Sequence, residues 1–222
     1  MPNSLTAPAA QTVLSRLFAA AEAQESGDLP LPPPPAGMRS WHDAPAADRA
    51  EAFQEIYIPI SADAGKLLYA LVRAIRPQTV VEFGTSFGIS TIFLAAAVAD
   101  NGTGRVITTE LSSKKAAAAR ANLDQAGVAG PVAVYEGDAL QTLASVTGPV
   151  GLVLLDGWKD LCLPVLRLLE PALAPGALVA ADDITHPGMA GYLEFIRDPA
   201  NGYVSVAFPV EDGMEISSWT GR

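Results

Sequence analysis

Five short apolar runs between Thr79 and Asp183 alternate with segments whose apolar residues have helical spacing. The runs read TVVEFG, GRVITTE, VAVYEGD, VGLVLLD and GALVAADD. Strands that alternate with helices form βαβ units, in which the strands are parallel and helices cover both faces of the sheet. Burial on both faces explains why the runs are almost continuously apolar. The sequence therefore predicts an α/β fold with a Rossmann-like, doubly wound, mostly parallel sheet.

The end of the chain has a different pattern. Residues 203–209 and 214–220 alternate in polarity on either side of VEDG. The Asp212-Gly213 pair in that segment favours a tight turn between antiparallel strands. We therefore expect seven strands, of which the last two form an antiparallel β-hairpin.

Residues 1–58 are predicted to form an N-terminal helical extension, and residues 59–222 the α/β domain. Apolar spacing predicts a helix over residues 11–24, and the prolines of SGDLPLPPPPAG then predict a semi-rigid connector. A second helix is predicted from residue 43 to residue 58. Ser61 is expected to cap a third helix, which ends before Pro77.

Charge and cysteine content exclude several classes of protein. The chain of 222 residues has a formal net charge of -10, so its field repels nucleic acid and anionic membranes, and we expect neither as a partner. No apolar run approaches the roughly 18 residues that span a bilayer, and no signal-peptide pattern is visible. The single cysteine, Cys162, excludes an internal disulfide. We expect a cytoplasmic protein that acts on a small-molecule substrate.

The first predicted strand runs into a glycine-containing loop. In open α/β sheets, ligands bind beyond the carboxyl ends of the strands, so this loop is a candidate binding segment. Gly84 and Gly88 permit a tight turn and a close approach of backbone to a ligand. Ser86 and Ile89 stand where a dinucleotide fingerprint has its second and third glycines. This spacing counts against NAD.

Two further strand ends carry acidic residues. Glu110 ends the second strand, about twenty residues beyond the glycine loop, where a carboxylate can accept hydrogen bonds from both hydroxyls of a ribose. The third strand ends in EGDA, in which Asp138 is placed to meet the edge of an adenine. The alternative for each acid is a helix cap.

Three carboxylates follow the fourth and fifth strands. Asp156 ends the fourth run, and Asp182 and Asp183 end the fifth. If these strands are neighbours, about 4.8 Å apart, the three groups converge and repel one another. A shared proton or a divalent cation relieves the repulsion, and oxygen-only ligands suit Mg²⁺. In the alternative interpretation, Asp182 or Asp183 simply caps the next turn.

The chain resembles the catechol O-methyltransferase-like family, a group of class I S-adenosylmethionine-dependent O-methyltransferases. The resemblance to the cofactor half of that family is carried by VVEFGTSFGIS, TTEL, ANLDQAG and YEGDA. The resemblance to its metal-binding half is carried by LDGWKDLCLPVLRLLEPAL and ADDI. Together these segments cover roughly residues 59–221. The resemblance implies methyl transfer from S-adenosylmethionine to a hydroxyl of a phenolic or catechol-like acceptor, assisted by Mg²⁺ or another divalent cation, in a homodimer.

The resemblance also implies roles for individual residues. The cofactor-binding set is Ile60, Glu82, Gly84, Thr85, Ser90, Glu110, Leu111, Asp138, Ala139 and Asp156. The metal set is Asp156, Asp182 and Asp183, and the catalytic set is Lys159 as general base, Asp156, and Glu215 as a partner for a second substrate hydroxyl. Trp158 and Pro187 match walls of the substrate cleft.

Three residues depart from the family pattern. Asp183 stands where an amide is usual, which adds a negative charge beside the metal set. Gly157 stands where some relatives carry a histidine, which removes a possible cofactor contact. Ser112 replaces a second polar acid or amide, so a secondary ribose contact is in doubt.

Chemically, the reaction needs a deprotonated oxygen held near the methyl carbon. Lys159 can accept the proton if a neighbouring cation depresses its pKa; the alternative is an exposed lysine at the start of a helix. Neither histidine has a metal partner in the sequence pattern: His42 is expected on the surface or a lid, and His186 is a candidate for the acceptor site. Trp41 is expected to anchor the extension to the domain.

Three alternative functions remain open from the sequence. The first is a methyltransferase of the same fold that works without metal, which the extra charge of Asp183 makes credible. The second is a nicotinamide dehydrogenase, and the third is a protein that binds the cofactor without catalysis. For the homodimer, the apolar N-terminal helix is a candidate interface.

Overall fold

The computed structural model describes residues 3–27 and 32–221. Part of the predicted proline-rich connector, residues 28–31, lies outside the described residues. The helices are α1 (Pro8–Ser26), α2 (Ala46–Ala52), α3 (Ala62–Ile75), α4 (Ile89–Asn101), α5 (Ser113–Ala126), α6 (Ala139–Thr142), α7 (Cys162–Leu169) and α8 (Ala190–Arg197). The strands are β1 (Thr79–Phe83), β2 (Arg105–Glu110), β3 (Val132–Glu136), β4 (Val150–Leu155), β5 (Leu173–Ala181), β6 (Tyr203–Phe208) and β7 (Met214–Trp219).

All seven strands form one sheet in the order β3-β2-β1-β4-β5-β7-β6. Strands β1 to β5 are parallel, whereas β7 runs antiparallel to both β5 and β6. The predicted fold class is therefore confirmed, including the antiparallel hairpin at the end of the chain. The order reverses between β1 and β4, which is the position where such sheets open a crevice for ligands.

Central strands have apolar side chains on both faces because helices cover both sides of the sheet. On β4, Leu152 and Leu154 pack into the core under α1, α3, α4 and α5. The intervening Val153 and Leu155 pack into a second core under α6, α7 and α8. This alternation is the structural basis of the continuous apolar runs in the sequence.

The second predicted helix is shorter than expected. The prediction of one helix over residues 43–58 is wrong: the chain forms a 3₁₀ turn at Trp41–Asp43 and then only α2, with no regular structure from Ile56 to Ser61. Two prolines explain the difference. Pro45 occupies the N-cap of α2 and so sets its start. Pro59 disfavours helical geometry at the preceding residue, so the helix ends before it. Ser61 caps α3 as predicted, since its side chain accepts a hydrogen bond from the Ala64 N–H.

The N-terminal helix packs against its own domain. Val13, Leu14 and Leu17 of α1 are buried in the core that α3, α4 and α5 share. Arg16 extends this contact by donating a hydrogen bond to the Asn122 side chain of α5, 2.7 Å away. The apolar side of α1 is thus covered within the chain, and a dimer interface at this helix stays a prediction that its buried residues do not support. Among the described residues, no helix combines the length and apolarity that a bilayer crossing requires.

Candidate active site

A cleft of about 440 Å³ opens at the carboxyl ends of β1, β2 and β4. A volume of about 300–1,000 Å³ is typical of small-molecule sites. Residues 41–60 form the opposite wall, with Trp41, His42, Arg49, Phe53, Tyr57 and Ile60 among the lining side chains. The cleft therefore lies where the strand order reverses, between the sheet and the N-terminal extension.

Most predicted cofactor-binding residues line this cleft. They are Ile60, Gly84, Thr85, Ser90, Glu110, Leu111, Asp138, Ala139 and Asp156. Their convergence follows from the parallel register, since the ends of β1 and β2 are paired neighbours through Phe83 and Thr109. All of them except Ile60 directly follow a strand or belong to the loop or helix start after one; Ile60 precedes α3 and was indicated by the resemblance alone.

The loop after β1 needs glycine at its first position. Gly84 has a φ of +103°, and a Cβ there would lie 2.6 Å from the carbonyl oxygen of Asp156. The Gly84 and Thr85 N–H groups both donate to the Thr109 carbonyl, 3.2 Å away in each case. Any side chain at Gly84 would push the loop away from β4 and distort the cleft.

Glu82 lies behind this loop and not in the cleft wall. Its side chain is fully buried, and its carboxylate accepts hydrogen bonds from Ser90 (2.5 Å), Thr91 (2.6 Å) and Thr108 (2.5 Å). Burial raises its pKa to about 7, against the opposing effect of the three hydroxyl donors. Glu82 is not among the residues that line the cleft and holds Ser90 in place there, while its own contact with the cofactor stays a prediction.

The acids after β2 and β3 lie in the cleft and also organise backbone. The Glu110 carboxylate accepts hydrogen bonds from the backbone N–H of Ser86 (2.8 Å) and of Ser112 (2.9 Å). Asp138 caps α6, because its side chain accepts a hydrogen bond from the Leu140 N–H. Ser112 caps α5 in the same way. Asp138 is therefore a helix cap, as in the alternative interpretation, and it also lines the cleft.

The three predicted metal ligands are brought together. Because β4 pairs with β5 through Leu155 and Ala181, Asp156 and Asp182 follow aligned strand ends. One carboxylate oxygen from each of Asp156, Asp182 and Asp183 lies within 4.8 Å of the others. Burial raises the pKa of both Asp156 and Asp182, and the charges of the neighbouring aspartates add to the effect. Three mutually repelling oxygen ligands fit a hard divalent cation such as Mg²⁺.

Lys159 lies against this cluster as a counter-ion. Its Nζ is 3.0 Å from Asp156 and 2.9 Å from Asp183. Burial by itself lowers the pKa of Lys159, but the charges of these two aspartates outweigh it and raise the pKa above its ordinary value. The depression of this pKa was expected from a neighbouring cation, and it stays a prediction for the cation-bound protein. The usual amide at position 183 could not form this ion pair, so the departure at Asp183 directly changes the environment of Lys159.

Local geometry accounts for two of the residues that depart from the family pattern, Asp183 and Gly157. Asp183 has a φ of +54°, a left-handed conformation that Asp and Asn tolerate better than other non-glycine residues. Gly157 lies against the Phe83 ring, which a Cβ at this position would strike. The space that a larger residue would need at position 157 is thus filled by Phe83.

Aromatic side chains from the extension and from the segment after β4 form one part of the cleft wall. Phe53 is flanked by Trp41 at 5.3 Å and Trp158 at 5.9 Å between ring centroids, both edge-to-face. The buried Arg49 stacks over Trp158, 4.8 Å from the ring centroid, and makes a bidentate pair with Asp160 at 2.7 and 2.9 Å. Trp41 contacts Phe53 and donates a hydrogen bond to the Pro32 carbonyl, both within the extension, so its role as an anchor to the domain stays a prediction.

The two histidines meet at the mouth of the cleft. The Nε2 atoms of His42 and His186 lie 3.0 Å apart, and both residues line the cleft. His42 therefore lies on the segment that covers the cleft, whereas a contact of His186 with the acceptor stays a prediction. Their contact could not be read from the sequence, since 144 positions separate them.

Glu215 is not brought to the cleft. On β7, its carboxylate is 1% exposed and receives a bidentate pair from Arg197 at 2.9 and 2.6 Å. Ser205 donates a further hydrogen bond to it. Glu215 is not among the residues that line the cleft, so it has no access to a substrate hydroxyl there. Its predicted contact with the acceptor has no support in this geometry.

The sheet order, the glycine loop and the acid at the end of β2 together define a class I S-adenosylmethionine-dependent methyltransferase. Comparisons with known proteins agree. Residues 81–184 match the family model of a methyltransferase domain. Catechol O-methyltransferase from Mycobacterium tuberculosis is 38% identical over 144 residues, which are 64% of this chain and 63% of that protein. Catechol O-methyltransferase B from Danio rerio is 30% identical over 190 residues, 79% of this chain and 71% of that protein.

A solved structure extends the likeness to the whole chain. The crystal structure of cofactor-bound Rv0187 from MTB superposes with a TM-score of 0.73 at 27% identity, covering 99% of this chain and 94% of that one. The chain belongs to the catechol O-methyltransferase-like family of S-adenosylmethionine-dependent O-methyltransferases. This membership favours methyl transfer over the nicotinamide dehydrogenase considered from the sequence. The alignment spans less than two thirds of the Mycobacterium tuberculosis relative, 63%.

Proposed function

We propose that this chain transfers the methyl group of S-adenosylmethionine to a hydroxyl oxygen of a small phenolic or catechol-like acceptor, with a divalent cation, Mg²⁺ foremost, at its aspartate cluster. The observation that carries the proposal is that Asp156 and Asp183 line the same cleft as the glycine loop, and that a carboxylate oxygen of the buried Asp182 lies within 4.8 Å of theirs. The aromatic walls at Phe53 and Trp158 suit a planar acceptor. The homodimer and the cytoplasmic location stay predictions.

The reaction itself fixes what the residues must do. The C–S bond to the methyl group breaks and a C–O bond forms, so S-adenosylhomocysteine, the methyl ether and one proton are the products. The glycine loop and Glu110 would hold the cofactor, and the aromatic wall would hold the acceptor near the methyl carbon. A divalent cation held by Asp156, Asp182 and Asp183 would lower the pKa of the acceptor hydroxyl.

The part played by Lys159 depends on its ion pairs. While Asp156 and Asp183 both contact its Nζ, the side chain is an ammonium that donates hydrogen bonds and cannot accept a proton. In that state it can stabilise a negatively charged acceptor oxygen. Lys159 can act as a general base only if Asp156 and Asp183 no longer pair with its Nζ, as would be the case if both held a cation.

The test is an activity assay with and without metal. Purified protein is incubated with S-adenosylmethionine and a panel of catechols, and S-adenosylhomocysteine and the methyl ether are measured by mass spectrometry. We expect turnover with Mg²⁺, loss of turnover with EDTA, and recovery when Mg²⁺ is added back. Asp182→Asn should abolish turnover, while Asp63→Asn, at an exposed position outside the cleft, should not. Absence of methyl ether with every hydroxylated acceptor would contradict the proposal.

A methyltransferase that works without metal is the second candidate. It is favoured by one observation: the Lys159 ammonium already partly neutralises the cluster through Asp156 and Asp183. In this case turnover survives EDTA, and Lys159→Met abolishes it, because the ammonium alone stabilises the acceptor oxygen. Turnover that needs Mg²⁺ excludes this candidate.

A further inference from the structure

Lys115 is a buried cation in the wall of the cleft. It is the third residue of α5, and only 6% of its surface is exposed. Its side chain lines the cleft near the end of β2, beside Ser112 and Glu110. The local sequence gives no signal for this role, because two lysines followed by alanines near a helix start are typical of a solvated surface.

The ammonium of Lys115 has no ion pair or hydrogen bond among residues 3–27 and 32–221. Its Nζ lies over the face of the Phe87 ring, 5.3 Å from the ring centroid. Burial lowers its pKa, and the charge of Glu110 only partly opposes this. The first turn of a helix is also its positive end, which disfavours a cation. Partial burial without a partner disfavours an ammonium, and the Lys115 Nζ is not among the fully enclosed unpaired atoms, so it can reach a ligand in the cleft.

The Glu110 carboxylate does not form an ion pair with the Lys115 ammonium. Its two oxygens are each held by a backbone N–H, from Ser86 and from Ser112. An anchored carboxylate and an unpaired ammonium therefore face the same part of the cleft. One offers hydrogen-bond acceptors and the other offers donors, which is the combination that recognises a pair of neighbouring hydroxyls.

We propose that Lys115 is a further cofactor-binding residue, whose ammonium donates a hydrogen bond to a ribose hydroxyl oxygen of S-adenosylmethionine while Glu110 accepts from the ribose hydroxyls. This inference rests on the proposed function, because it takes the cofactor to lie in this cleft. The ribose is favoured over the carboxylate of the methionine part because the charged neighbour of Lys115 is Glu110, at the strand end where such sheets hold a ribose.

The chain contains a matched control in the adjacent residue. Lys114 has the same side chain one position earlier, but it is exposed, is paired with Glu55, and does not line the cleft. Lys115→Met and Lys114→Met therefore remove the same charge from the same helix turn. Only the first variant should change cofactor binding.

The experiment is isothermal titration of each variant with S-adenosylhomocysteine, combined with thermal unfolding without ligand. Lys115→Met should weaken binding by about 10- to 100-fold, the range for a hydrogen bond from a charged donor. The melting temperature of the ligand-free Lys115→Met protein should be equal to or above that of the unsubstituted protein, since the substitution removes a partly desolvated charge and no side-chain hydrogen bond or ion pair among the described residues. Lys114→Met should bind with unchanged affinity. A structural role for Lys115 would instead lower the melting temperature.

A second ligand distinguishes the ribose from the amino-acid part. 5′-Methylthioadenosine has the ribose but no methionine carboxylate, so Lys115→Met should weaken its binding by the same factor. Loss confined to S-adenosylhomocysteine would assign Lys115 to the carboxylate and overturn the inference, as would equal affinity of Lys115→Met and the unsubstituted protein. If the unsubstituted protein itself does not bind S-adenosylhomocysteine, the proposed function is overturned together with this inference. If only the comparison between Lys115→Met and the unsubstituted protein fails, this inference alone is overturned.

Discussion

Replacement of Glu82 by glutamine should change how the stability of the protein depends on pH. Glu82 is fully buried, and burial raises its pKa from 4.5 to about 7. Because the folded-state value lies above the unfolded-state value, folding favours the protonated carboxyl. The contribution to stability is therefore complete below pH 4.5 and is lost as pH rises through about 7.

The magnitude follows from the size of the shift. A rise from 4.5 to about 7 corresponds to about 3 kcal/mol, at about 1.4 kcal/mol for each unit. Glu82→Gln resembles the protonated carboxyl in shape and does not titrate. As pH rises from 4.5 to 8, the unsubstituted protein should therefore lose about 3 kcal/mol of unfolding free energy that Glu82→Gln does not lose. The difference in unfolding free energy, Glu82→Gln minus unsubstituted, should increase by that amount.

Urea unfolding at several pH values, followed by circular dichroism, measures this difference directly. Other titrating groups contribute to both proteins and cancel in the comparison. Thr91→Val serves as a second variant: it removes a 2.6 Å hydrogen bond to the Glu82 carboxylate, so the loss of stability should move to higher pH. A difference between Glu82→Gln and the unsubstituted protein that stays constant within about 1 kcal/mol across this range would refute the reasoning.

Three further predictions concern the cleft. Gly84→Ala should abolish S-adenosylhomocysteine binding in calorimetry, because its Cβ would lie 2.6 Å from the Asp156 carbonyl oxygen; retained affinity would show that the loop can move. Asp160→Asn should lower the free energy of unfolding in urea by about 3 kcal/mol, because the buried Arg49 guanidinium then has no anion. Arg49→Met should cost less, because the Asp160 side chain that it leaves unpaired is 42% exposed and can be hydrated. Equal losses for the two variants would contradict this asymmetry. Mg²⁺ should raise the melting temperature of the EDTA-treated protein but not of Asp182→Asn, and an equal rise in both would place the metal elsewhere.

Local sequence was sufficient to find the strands and most of the cleft wall. Strand ends are marked by a change from apolar residues to glycine or acid, as at Gly84, Glu110 and Asp156. Because parallel strands align their carboxyl ends, the residues that follow them converge without further information. The second helix was overestimated because Pro45 and Pro59 limit α2 more than its apolar spacing suggests.

Contacts between distant segments could not be predicted in this way. Glu215 follows the family pattern at its position, yet the Arg197 side chain from α8 holds its carboxylate outside the cleft. The charge state of Lys159 depends on Asp183, which comes from the neighbouring strand. Each of these outcomes is set by a side chain whose position depends on packing of the complete fold.

The sequence by itself determined the architecture and the edge of the sheet at which chemistry can occur, because helical and strand periodicity and strand-end residue types are local properties of the chain. The tertiary structure alone decided which charges are paired: Lys159 with two aspartates, Glu215 with Arg197, and Lys115 with none among the described residues. Pairing depends on distances of a few ångströms between elements far apart in the sequence, and only the packing of helices against the sheet fixes those distances.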